Sequence, residues 1–186
     1  MKTLILKLFC IVFLLHFSNF SFSQNGSIEK ATLYIIKTGL YGAALGANVF
    51  VNDTFVGNCG NEEYLKLEID TGFNLIWANA GSLTKTSYIE ARLKAGKTYV
   101  VNVSHAFSIL VPSVNLNAID DKSSKYELEK AKNHIKNKRY LNYQSRQLLE
   151  KQQKLKNTIE NGLAIYKKLK EKRKCQFQQL IYPITL

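Results

Sequence analysis

The sequence predicts an all-β sandwich of about seven strands followed by a basic α-helical C-terminal extension. Three observations carry that expectation. Between residues 31 and 105, short runs rich in β-branched and aromatic residues alternate with turn signals about every 8–12 residues. From Tyr126 to about Lys174 there is no proline, and strong helix formers dominate. The charge changes near the same place. Residues 24–121 hold 7 Lys/Arg against 9 Asp/Glu, whereas residues 122–186 hold 17 against 5. Most of the formal net charge of +12 therefore belongs to the last third of the chain.

The elements follow in order. "ATLYIIK" (31–37) has the composition of a buried strand, and the Gly/Ala-rich "TGLYGAALGA" (38–47) reads as a loop. In "NVFVNDTFVGN" (48–58), Asn52-Asp53 can take the positive φ of a two-residue hairpin turn that fixes strand register. Alternation puts Val49 and Val51 on one face and Phe50 on the other. "YLKLEI" (64–69) alternates Leu/Ile with Lys/Glu as a half-exposed strand does. "FNLIWAN", "TSYIEARL" and "TYVVNVSH" continue the series to His105, and 114–119 can add one more short strand. The expected core is Leu33, Ile35, Val49, Val51, Leu65, Leu67, Leu75, Trp77, Ile89, Tyr99, Val101 and Val103.

Ser123 or Ser124 then caps a helix, with Glu127 three residues after Ser124. Leu141, Leu148, Leu155 and Leu169 recur at multiples of seven, with Ile159 and Tyr166 between them, giving a weak coiled-coil pattern. Asn161-Gly162 predicts a break, so two helices are expected at about 125–160 and 163–174. The apolar end, "CQFQQLIYPITL", suits a strand returning to the sheet.

Lys2 and Lys7 flank the start of an apolar run over 8–17, and small residues follow near Ser23. This is the pattern of a secretory signal peptide, so export to the periplasm, cell envelope or exterior is expected. The resulting division is 1–23 signal peptide, 24–121 sandwich and 122–186 basic helical extension. Cys59 and Cys175 remain after cleavage, and either a bridge between them or two unpaired thiols fits an exported chain.

Catalysis is not expected, and no metal or other cofactor is implied. His105 and His134 sit in different segments, and no Cys-x-x-Cys, His-x-x-x-His or Gly-x-Ser-x-Gly spacing occurs. Glu62 and Glu63 are adjacent and face opposite ways on a strand, which suits surface charges better than paired catalytic carboxylates. Two binding patterns remain. The basic extension offers Lys136, Lys138, Arg139, Arg146, Lys151, Lys154, Lys167, Lys168, Lys170, Lys172, Arg173 and Lys174 to an anionic partner, or else presents a solvated helix face. An exported chain directs such charge to an envelope component, an acidic protein or polysaccharide, or a membrane surface, and away from nucleic acid. Alternatively Tyr41, in the Gly-rich loop, and Phe50 form an exposed ligand edge for carbohydrate or peptide.

The succession "ATLYIIK", "NVFVNDTFVGN", "YLKLEIDTG" and "AGKTYVVNV" resembles the bacterial domain-of-unknown-function 2846 family, and more loosely the PEGA-type domains, over roughly residues 31–121. The resemblance implies a prealbumin-like extracytoplasmic sandwich without an established catalytic site. It carries no functional residues over. Thr71-Gly72 stands where the family's turn usually has Pro-Gly, and the lipoprotein cysteine of many relatives has no counterpart at the expected cleavage site.

Overall fold

The computed structural model describes residues 29–38, 46–81, 85–106, 113–172 and 183–184. The expected signal segment, Tyr41, Arg173, Lys174 and Cys175 lie outside these residues. The strands are β1 (Lys30–Lys37), β2 (Ala47–Val51), β3 (Thr54–Cys59), β4 (Glu63–Asp70), β5 (Gly72–Asn79), β6 (Ser87–Leu93), β7 (Thr98–Ala106), β8 (Ser113–Ile119) and β9 (Arg139–Tyr140). The helices are α1 (Lys125–Asn137), α2 (Ser145–Lys154) and α3 (Lys156–Glu171).

Two sheets form the sandwich. Sheet A runs β8-β7-β1-β4-β9 and sheet B runs β3-β2-β5-β6. Between them Leu33, Ile35, Val49, Val51, Leu65, Ile76, Ile89, Tyr99, Val101 and Val103 are buried together. Each such large apolar side chain contributes about 1.5–3 kcal/mol on burial. Leu75 and Trp77 are the exceptions to the expected core. In β5 it is Ile76 and Ala78 that face the other sheet, while Leu75 and Trp77 join Phe50 and Phe55 on the outer face of sheet B. Residues 74–79 are all buried, so the strand is apolar on both sides and alternation could not fix its phase.

The β2–β3 corner is pinned from outside the hairpin. Only Asn52 takes positive φ, 56°, which matches a primed turn with the left-handed residue in its first central position. The Asn52 N–H donates to the Leu75 carbonyl at 2.7 Å, and its Oδ1 accepts from the Leu75 N–H at 2.9 Å. The register of β2 against β5 is thereby held at the turn itself.

The C-terminal extension wraps the sandwich. Ser124 and Glu127 form the expected capping box, and α1 covers sheet A with Leu128, Ala131 and Ile135 against Ile36, Val100 and Ile119. Ile184 joins that cluster and its N–H donates to the Thr98 carbonyl at 2.8 Å. The chain then leaves the helix at Lys138 and adds β9 in parallel to β4, through Arg139 N–H to Glu62 O and Leu141 N–H to Tyr64 O. Glu62 pairs with Lys138 and Glu63 with Arg139, so the adjacent acids face the adjacent cations of the strap. Leu141 and Tyr143 pack against the sandwich core. Finally α2 and α3 cover sheet B.

The helices differ from the expected pair. There are two interruptions, a short one at Leu155 and a longer one at 138–144. The longer segment has no glycine or proline and leaves the helix because its backbone pairs better with the β4 edge than with itself. Asn161 and Gly162 lie inside α3. The heptad leucines pack on the sandwich: Leu148, Leu155, Leu169 and Tyr166 against the outer aromatics of sheet B, and Leu141 against the core. The change of charge near residue 121 is thus not a change of packing.

Candidate functional site

The outer face of sheet B determines what the basic helices present. Phe50 stacks on Trp77 with centroids 3.9 Å apart and planes 11° from parallel, and Tyr88 and Tyr166 extend the row. α3 seats on this row through Ile159 and Gly162. A Cβ on Gly162 would lie 2.6 Å from the Trp77 ring, so glycine is what allows the helix this close. Tyr88 donates to the Gly162 carbonyl at 2.8 Å, a group inside the helix that approaches the sheet. Gln152 of α2 accepts from the Phe55 N–H at 2.6 Å and donates to the Asp53 carbonyl at 2.8 Å. Tyr143 Oη accepts from the Asn58 N–H at 3.2 Å. Side chains of the extension therefore occupy hydrogen-bonding groups along β3, an edge strand of sheet B.

This packing corrects one predicted ligand residue. Phe50 does point away from Val49 and Val51, but it is fully buried beneath the helices and offers no exposed platform. Strand alternation sets which way Phe50 points but carries no sign that the outer face would be covered. Tyr41 lies outside the described residues.

The predicted cations divide into two groups. Lys138, Arg139, Arg146 and Lys170 are ion-paired within the chain, to Glu62, Glu63, Glu150 and Glu90. Lys170 is raised above the ordinary lysine range by its bonds to Glu90 and Tyr166, and its Nζ also lies 5.6 Å from the Phe73 ring centroid. Burial pushes the Glu90 carboxyl up, but hydrogen bonds from Tyr166 and Lys170 outweigh it and hold the group below its usual range. Such a network anchors α3 instead of reaching outward. Lys136, Lys151, Lys154, Lys167, Lys168 and Lys172 are exposed and make no ion pair among the described residues, and Lys156 behaves likewise. All but Lys136 belong to α2, α3 or the residue that follows.

A different arrangement borders α1. A cleft of about 450 Å³ lies between the helix and the end of β1, lined by Lys37, Asn61, Lys130, Asn133, His134 and Asn137 among others. Lys130, Asn133, His134 and Asn137 follow the i, i+3, i+4, i+7 spacing of one helix face. His134 is buried, and its Nε2 lies 3.0 Å from the Glu63 carbonyl, where a protonated Nε2 donates. Burial lowers its pKa, a shift opposed by that bond. Lys37 contacts Asn61 Oδ1 through Nζ and is lowered by burial, with Cys59 acting in the opposite sense. A second cleft of about 410 Å³ shares Thr38 and Lys130 with the first and adds Asn102, Asn117, Ser124 and Tyr126. The sequence offered a signal here, since Asn133 is a poor residue for the middle of a helix, but helix capping and charge drew the attention.

Cys59 is a free thiol buried in the sandwich core. Its Sγ lies 3.6–3.8 Å from the carbonyl oxygens of Ile35, Gly60 and Glu63. Burial and the Glu63 charge push it up to about 12, against the opposing effect of Lys37. That protonation state suits packing and opposes nucleophilic use. Burial and the Lys37 charge lower the His105 imidazole. No group of three or more His, Cys, Asp or Glu is placed to hold a metal among the described residues. No helix among them is long and apolar enough to cross a membrane. No family model matches the sequence, and no curated protein matches it.

Proposed function

We propose that this protein is a non-catalytic, exported binding or assembly module, with the basic α2–α3 layer docking on an anionic envelope component or surface. The observation that carries the proposal is the separation of the cations by role. Lys170 fastens α3 to sheet B, while Lys151, Lys154, Lys156, Lys167, Lys168 and Lys172 remain exposed without an ion pair among the described residues. Their helices are keyed to the sheet by Gly162, Tyr88 and Gln152, so the charges sit on a pre-formed surface. Glu150, Glu160 and Glu171 share these helices, so the layer carries an excess of positive charge, and a preorganised excess raises encounter rates and affinity for polyanions. The same proposal retains the resemblance of residues 31–121 to the domain-of-unknown-function 2846 family as an account of the scaffold.

The test is sedimentation with anionic vesicles and with isolated envelopes at low and high salt. A variant with Lys151, Lys154, Lys156, Lys167, Lys168 and Lys172 changed to Gln runs beside the parent. Each cation near an anionic surface contributes about 1 kcal/mol, so the variant should lose at least ~100-fold in affinity and the parent's binding should fall with salt. Equal binding by both chains defeats the proposal. Deleting residues 122–186 is not an equivalent test, because it would uncover Phe50, Phe55, Trp77 and Tyr88.

A further inference from the structure

From the two clefts beside α1 we infer that the protein has a second binding site, on the opposite sheet from the basic layer, which accepts an acidic oligosaccharide. The clefts, about 450 and 410 Å³, meet at Thr38 and Lys130. Together they have room for roughly two to four sugar units, within the range of ordinary ligand sites.

The lining decides the ligand class. Five side-chain amides border the two clefts: Asn61, Asn133 and Asn137 in one, Asn102 and Asn117 in the other. Each amide carries both a donor and an acceptor. A bare phosphate or carboxylate uses donors only and would leave the acceptors idle. A ligand with many hydroxyl groups uses both. Asn61 and Asn102 are held in place through their acceptor oxygens, by Lys37 and by Thr38, whose N–H and Oγ1 lie 3.0 and 3.1 Å from Asn102 Oδ1, so the other three amides are the ones that offer both donor and acceptor. Asn117, Asn133 and Asn137 are exposed to the cleft side of their elements, and no hydrogen bond within the described residues commits their amides.

Charge supplies the second requirement. The acids in the lining are already engaged: Glu62 with Lys138, and Glu127 with Ser124 in the capping box. Lys130 makes no ion pair among the described residues and stands where the clefts join. Its Nζ is 5.8 Å from the ring centroid of Tyr126, which is 72% exposed. The cation lies over one face of this ring, and the pair suits a carboxylated sugar, whose acid meets Lys130 and whose C–H groups pack against the exposed remainder of Tyr126.

The experiment applies the purified chain to an array of uronate- and sialate-bearing oligosaccharides with their neutral counterparts, followed by titration calorimetry of the strongest hit. The expected result is retention of an acidic glycan at least about tenfold more tightly than its neutral counterpart. Lys130→Gln and Asn133→Ala should each weaken it about tenfold, while the six-lysine variant of α2–α3 retains it. Asn133→Ala raises helix propensity, so loss of fold cannot account for its effect. Retention of no acidic glycan overturns the inference. So does loss of binding only in the six-lysine variant, which assigns the signal to the basic layer. Full displacement by millimolar inorganic phosphate also overturns it, since the site would then recognise charge without sugar.

Discussion

One C-terminal segment covers both outer faces of the sandwich, and it treats them differently. On sheet B, α3 meets a continuous aromatic row, Phe50, Trp77, Tyr88 and Tyr166, with Gly162 pressed against the indole. On sheet A, α1 sets Leu128, Ala131 and Ile135 against Ile36, Val100 and Ile119, with Tyr34 and Tyr64 only partly buried and its own His134 buried, and open clefts remain beside it. Large flat rings fill the space directly under α3, and the cleft on this side, about 380 Å³, lies at the edge of the layer beside Asp53, Gln152 and Lys156. A thinner seam of Ala131, Ile36 and Val100 lets polar side chains at its margins line open grooves. The same wrapping segment thus yields a fastened basic layer on one face and a recessed amide-rich groove on the other.

The largest expected effect tests the aromatic seal. Trp77→Ala removes the ring on which Phe50 and Gly162 pack and the indole N–H that donates to the Asn52 carbonyl at 2.8 Å. It should cost about 3–5 kcal/mol in denaturant unfolding. The equivalent truncation on sheet A, Ile36→Ala, should fall nearer the lower end of about 2–5 kcal/mol. Equal costs would erase the contrast between the faces. The second test is Gly162→Ala. Helix propensity alone predicts a gain of about 1 kcal/mol. The contact with Trp77 predicts a net loss of about 1–3 kcal/mol from overpacking. A more stable variant would show that α3 does not sit against the indole.

The smallest effect separates the faces by pH. His134 faces the Glu63 carbonyl, with Glu62, Lys130 and Lys138 as the charged groups acting on it. Its folded pKa lies below the ordinary 6.5, so the unfolded chain binds the extra proton first. The stability this provides is complete above about pH 6.5 and is lost as pH falls from there toward the folded pKa. Hydrogen exchange, corrected for the intrinsic rate, should show α1 losing protection over that interval while α3 does not. His134→Gln should flatten the response of α1. An identical response in both helices would remove the local cause.

Alternation and turn residues located the strands from 30 to 119, and the Ser124–Glu127 box located the start of α1. These are local properties: pleat parity, positive φ at Asn52 and capping geometry depend on residues a few positions apart. The facing of β5, buried on both sides from 74 to 79, escaped that logic, as did the interruption at 138–144, whose backbone pairs instead with β4, more than seventy positions earlier in the chain. The charge of the extension was legible, but which lysines are tied down was not, because Glu90 reaches Lys170 only through folding. Asn133 and Asn137 were visible as residues, yet they became part of a groove only when α1 lay beside Lys37 and Asn61. By itself the sequence determined what most segments form, the strands and the start of α1 above all, and how much charge each carries. Tertiary structure decided which faces are covered and which side chains meet, since burial and cross-chain contact arise only when distant segments compete for the same surface.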